Sequence, residues 1–108
     1  MKKLKFEAKL APMVLTGEKN VTWRLFDDKD LSVGDVLEMI DAKTGDVFAI
    51  AEIVGVKEIN LGDMGADGFD GHEKFESKEE MIKTYRGYYG DQVDEKSKVK
   101  IIKFKLKR

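Results

Sequence analysis

The chain has 108 residues, no cysteine, one proline and a net charge of −1. That length suits one domain, spanning 1–108, and the absence of cysteine excludes disulfides, thiolate nucleophiles and cysteine-based zinc sites, which fits a cytoplasmic setting. Lys5, Glu7 and Lys9 interrupt any signal-peptide core at the N-terminus, and no apolar run approaches membrane-spanning length, so no membrane association is expected. The charge is uneven: +4 over residues 1–26, −11 over 27–80 and +6 over 81–108. Folded together, the two basic ends would give one face able to orient a polyanion. Alternating lysines on terminal strands are equally the usual protection of a sheet edge.

"KLKFEAKL" alternates Leu4, Phe6, Ala8 and Leu10 with charged residues, the period of a half-buried strand. Pro12 and Gly17 then bracket a short helix, since proline suits a first helical turn and glycine the residue just past a helix end. From Val21 the period returns to two, with Val21, Trp23 and Leu25 on one face and Thr22 and Arg24 on the other. "VLEMIDAKTGDVFAIAEIVGVKEI" reads as two strands joined through Lys43–Asp46. The second strand is apolar enough to be covered on both faces, with a bulge at Gly55. "GDMGADGFDGH" is a glycine-rich surface loop. Ser77 and Glu80 have capping-box spacing ahead of a helix bearing Met81, Ile82, Tyr85, Tyr88 and Tyr89. The final strand, "KVKIIKFKLKR", slips phase between Ile101 and Ile102, which needs either a bulge or burial on both faces.

One stretch carries chemistry. In "TGEKNVTWR" two cations and a hydroxyl, Lys19, Arg24 and Thr22, converge on a helix-to-strand junction opened by Gly17. Such a group can hold an anion or the carbonyl edge of a base, and a desolvated lysine can act as a base. On spacing alone the plainer reading, solvated cations flanking a strand threonine, is favoured. The three tyrosines are similarly expected to pack the helix on the sheet rather than to stack on a base. Asp63, Asp67, Asp70, His72 and Glu73 depart from calcium-loop spacing and include a single histidine, so no metal and no cofactor is expected.

Gly17, Lys19, Thr22 and Arg24 fit the G-x-K-x-x-[E or T]-x-R signature of the ASCH domain, a relative of the PUA domain. "SVGDVLEM" resembles that family's GD turn, and "HEKFESKEEMIKTYRGYYG" resembles its E-x-F-x-S segment followed by a helix. The resemblance implies an α+β fold, a small β-barrel of five to six strands with two short peripheral helices and a cleft beside the signature. It also implies similarity to small bacterial N4-acetylcytidine amidohydrolases, whose lysine, threonine and glutamate carry over to Lys19, Thr22 and Glu73 as catalytic residues. Gly17 and Arg24 would then bind ligand, and Glu76 is the rival to Glu73. The implied partner is a modified nucleoside or RNA, with no protein partner evident. Three readings follow: an amidohydrolase of N4-acylated cytidine, a noncatalytic RNA-binding module using the same cleft, and a domain recognising another small ligand.

Overall fold

The structure, a computed structural model, describes residues 1–26, 29–63 and 75–107. Among these residues five strands form one mixed sheet in the order β1-β3-β4-β5-β2: β1 (Lys2–Phe6), β2 (Val21–Leu25), β3 (Val36–Asp41), β4 (Val47–Asn60) and β5 (Lys98–Leu106). β1 runs parallel to β3, and every other pair is antiparallel. The sheet curls into a half-barrel with two short helices, α1 (Ala11–Thr16) and α2 (Lys78–Tyr89), as the expected α+β barrel class requires.

The first strand is shorter than its alternation suggests. It stops at Phe6, whose carbonyl accepts Ala42 N–H at 2.9 Å where β3 ends, and residues 8–10 turn as a 3-10 helix closed by Leu10 N–H donating to Glu7 O at 2.9 Å. Without a partner strand beyond Asp41 the extended form has no ladder to join. α1 follows as expected, with Pro12 in its first turn and Gly17 in the left-handed region at φ 87°. Only glycine adopts that conformation without a steric penalty. The chain can then reverse, and Lys19 N–H returns to Met13 O at 3.0 Å.

The β3–β4 hairpin closes through Gly45 (φ 80°), and the Asp41 carboxylate accepts Lys43 N–H at 2.8 Å. β4 is bulged between Ile53 and Gly55 against β5, as Gly55 suggests, but it is not covered on both faces: Val47 and Val54 are exposed and residues 48–50 only half-buried. The slip in β5 has a different cause from a bulge of its own. Ile102 and Phe104 enter one core with Leu4, Phe6, Leu37, Met39 and Ile53, inside the half-barrel. Val99 and Ile101, on the opposite face, enter a second core with Val21, Trp23, Leu25, Met81, Tyr85 and Val93. β5 is therefore the wall shared by two cores, and its consecutive isoleucines each serve one of them.

That position also decides what the β5 lysines can do. β5 lies between β4 and β2, so edge protection applies to β1 and not to β5. Lys105 pairs across the strand with Glu52, which also meets Lys107 Nζ at 3.6 Å, and Lys100 pairs with Glu58 while its Nζ donates to Leu31 O at 3.1 Å. Carboxylates on β4 thus answer part of the basic stripe.

α2 is capped by Ser77, whose hydroxyl accepts Glu80 N–H at 3.1 Å, and it buries Met81 and Tyr85 against β2. The segment before it is reached through residues 61–63, a 3-10 turn in which Gly62 lies against Glu95. A Cβ at Gly62 would come within 2.5 Å of Glu95 Cβ, so a side chain is excluded there. The rest of the glycine-rich loop, with Asp67, Asp70, His72 and Glu73, lies outside the described residues. Among the described residues no helix is long and apolar enough to cross a membrane.

Candidate functional site

β1 and β2 stand at opposite ends of the strand order, yet the curl of the sheet brings them together. Arg24 on β2 donates from Nη2 to Lys5 O on β1 at 3.1 Å, and its guanidinium carbon lies 5.1 Å from the centroid of the Phe6 ring. Between these edges a cleft of about 280 Å³ opens, lined from the β2 side by Lys19, Thr22, Trp23 and Arg24. Phe6, Leu10 and Ala42 line the β1 side, and Tyr85, Tyr88 and Tyr89 of α2 line the third. The cleft is the seam at which the half-barrel fails to close.

Strand alternation explains the residue set. Val21, Trp23 and Leu25 point into the core beneath α2, so Thr22 and Arg24 point to the barrel side. Thr22 pairs with Ile102 and is 5% exposed. Lys19 is 1% exposed and its Nζ donates to Val21 O at 2.8 Å. The solvated-cation reading is therefore overturned for Lys19. A lysine is almost never fully buried without a specific reason, and here Lys19 and Thr22 both line the cleft. Arg24 lines the cleft and keeps a buried Nε without a hydrogen-bond partner among the described residues. Gly17 does not line the cleft. It is exposed at the C-terminus of α1, and its left-handed turn lets the chain bring Lys19 inward.

The tyrosines divide between the two roles weighed for them. Tyr85 is 4% exposed and stacks on Trp23 with centroids 5.6 Å apart and ring planes 23° apart, which is packing. Tyr89 in turn lies nearly parallel to Tyr85, at 6.3 Å and 9°, and Tyr88 meets Tyr85 edge-on at 5.5 Å. Both reach the cleft, and Tyr88 is 48% exposed. An aromatic wall so continuous offers a flat, apolar surface of the kind that holds a planar heterocycle.

Glu73 lies outside the described residues, while Glu76 is exposed just before α2. Among the described residues no group of three or more histidine, cysteine or carboxylate side chains could hold a metal. Lys5, Phe6, Glu7, Leu10 and Ala42 were not foreseen as lining residues. Their only local signal is strand alternation, and what brings them to Arg24 is the parallel pairing of β1 with β3, which no spacing encodes.

No protein-family model and no curated protein matches the sequence. Solved structures do match. A crystal structure of an ASCH domain from Lactobacillus crispatus JV V101 superposes with a TM-score of 0.69 at 18% identity, over 91% of this chain and 70% of that one. This chain has the ASCH-domain fold. The ASCH protein of Zymomonas mobilis matches with a TM-score of 0.69 at 12% identity, over 95% of this chain and 65% of its own. A protein from Pyrococcus furiosus of similar length matches at 0.69 and 20% identity, over 97% and 96% of the two chains. The chain spans about two thirds of the length of the Zymomonas protein.

Proposed function

We propose that the cleft binds a modified pyrimidine nucleoside and hydrolyses the amide on the exocyclic nitrogen of an N4-acylated cytidine. The observation that supports this most directly is the burial of Lys19 beside Thr22 in a cleft walled by tyrosines. A volume of about 280 Å³ falls just below the range of drug-sized sites, roughly 300–1,000 Å³, and suits a ligand as small as a nucleoside. In this reading the aromatic wall holds the base, and the Arg24 guanidinium at the cleft wall donates to a carbonyl oxygen of the ligand.

Amide hydrolysis needs a nucleophile, a base, donors for the developing oxyanion and a proton for the leaving nitrogen. Thr22 supplies the nucleophilic hydroxyl or positions the attacking water. Lys19 accepts its proton. A neutral amine has two N–H bonds and one lone pair, so donation to Val21 O leaves a lone pair for this task. Glu73 protonates the leaving nitrogen of cytidine; water, attacking directly or hydrolysing the acyl ester on Thr22, supplies the second oxygen of the released carboxylate, and the proton taken up by Lys19 restores Glu73.

One observation favours a second reading. Lys19 Nζ is already held on a backbone carbonyl, as a purely structural donor would be, and a noncatalytic module that holds a base in the same cleft needs no more. The experiment that separates them is steady-state kinetics on N4-acetylcytidine with Lys19→Met, Thr22→Ala, Glu73→Gln and Glu76→Gln. Catalysis predicts loss of most turnover in the first three, non-additive in combination, with Glu76→Gln unaffected. Ligand binding without turnover in the wild type would leave the binding module.

A further inference from the structure

The aromatic wall does not stop at the cleft. Tyr89 lines the cleft and also meets Phe26 edge-on, with centroids 5.9 Å apart, at the outer end of β2. Phe26 is 50% exposed and its backbone sits at φ 52°, in the left-handed region. For a large non-glycine residue that conformation is a genuine outlier. Strain of this kind persists where the surrounding structure imposes it, and it clusters at ligand-binding positions. Here its effect is to leave a phenyl ring in solvent, where it contributes little to the core. The ring continues a series that runs from buried Trp23 through Tyr85 and Tyr89 to the surface. On the rim of the same cleft the exposed Lys5 offers a cation.

We infer that Phe26 is a second stacking station, which receives the base next to the one held in the cleft, so that the natural ligand is a modified nucleotide within single-stranded RNA. The inference rests on the reading of the cleft as a base-binding site. A free nucleoside fills the cleft and has nothing to place on Phe26. A single-stranded segment has a neighbouring base with a π-face, and the connecting phosphate passes the rim where Lys5 stands. The carboxylates opposing the β5 lysines make a long electrostatic track along that strand unnecessary to this scheme: two bases and one phosphate suffice.

The test compares N4-acetylcytidine with a trinucleotide carrying N4-acetylcytidine at its centre, in wild type, Phe26→Leu and Phe26→Trp. Stacking of one base on an aromatic side chain corresponds to roughly a 5- to 150-fold effect by substitution. Phe26→Leu should therefore weaken trinucleotide binding by a factor in that range and leave nucleoside binding unchanged, while Phe26→Trp restores the trinucleotide. Far-UV circular dichroism and an unchanged nucleoside affinity show that the leucine variant is folded. Equal affinity of wild type for nucleoside and trinucleotide, or equal loss of both in Phe26→Leu, overturns the second station. Binding is measured apart from turnover, so absence of hydrolysis counts against the amidohydrolase and leaves the station tested.

Discussion

Replacement of Lys19 by methionine and by alanine should part company in a way that only a functional lysine explains. Methionine keeps the length and most of the volume of the buried stem but removes the amine. The loss includes the hydrogen bond to Val21 O at 2.8 Å, worth about 0.5–1.5 kcal/mol for the neutral donor that a general base must be. Opposing it is the cost of keeping a polar amine at 1% exposure, about 1–3 kcal/mol where its hydrogen bonding is incomplete. The two are of similar size, so Lys19→Met should lie within about 2 kcal/mol of wild type. Alanine also deletes the buried stem and leaves a cavity, for which buried large-to-small changes cost about 2–5 kcal/mol. Equilibrium urea unfolding of the three proteins, run beside turnover of N4-acetylcytidine, reads both quantities. General-base catalysis contributes about 10²–10⁴-fold, and both variants should lose that much. A Lys19→Met protein as unstable as Lys19→Ala would make the amine a structural bolt, and one that keeps its activity would rule out Lys19 as the base.

Trp23→Ala should cost at least about 3–5 kcal/mol in urea unfolding, because it empties the second core and removes the stack on Tyr85. Gly17→Ala should cost about 1–2 kcal/mol, since the space is open and only the left-handed backbone objects, and it should reduce activity only through the placement of Lys19. The Lys2 ammonium, at 2.7 Å, and Ser32 N–H hold the Asp35 carboxyl below the usual carboxylate range. With the folded value depressed, the stabilisation is present at neutral pH and is lost as pH falls through the folded value. Acid titration of stability should therefore show wild type and Asp35→Asn converging at low pH and separating above it. Replacing Lys100, Lys103 and Lys105 by glutamine should change the salt dependence of RNA binding by less than one phosphate contact, as followed by fluorescence anisotropy across a salt series.

The sequence carries the local elements and loses the long-range ones for identifiable reasons. Pro12, Gly17, Ser77 and the hairpin at Gly45 are self-contained signals, each satisfied by backbone groups within a few residues, and each stands where it was expected. The end of β1 at Phe6 is set by where β3 stops, and the doubled isoleucine of β5 by two cores meeting on one strand; neither is a property of the segment itself. The same division holds at the cleft. The alternation around Trp23 foretells that Thr22 and Arg24 share a face opposite the indole, but the burial of Lys19 depends on the turn back to Met13 O. Phe6 and Leu10 reach the cleft because a parallel β1 closes the far side of the sheet. The second role of Tyr88 and Tyr89 is invisible in a helical repeat, since packing and cleft-lining positions have the same spacing.

Hydrolysis of an N4-acyl amide by Lys19 and Thr22 in the aromatic cleft is read without any proxy by product analysis of the wild-type protein. Incubation with N4-acetylcytidine, followed by chromatography of the nucleosides, should show cytidine accumulating with one acetate released for each, and neither product with Thr22→Ala. Recovery of unaltered N4-acetylcytidine after prolonged incubation with folded wild-type protein would contradict it.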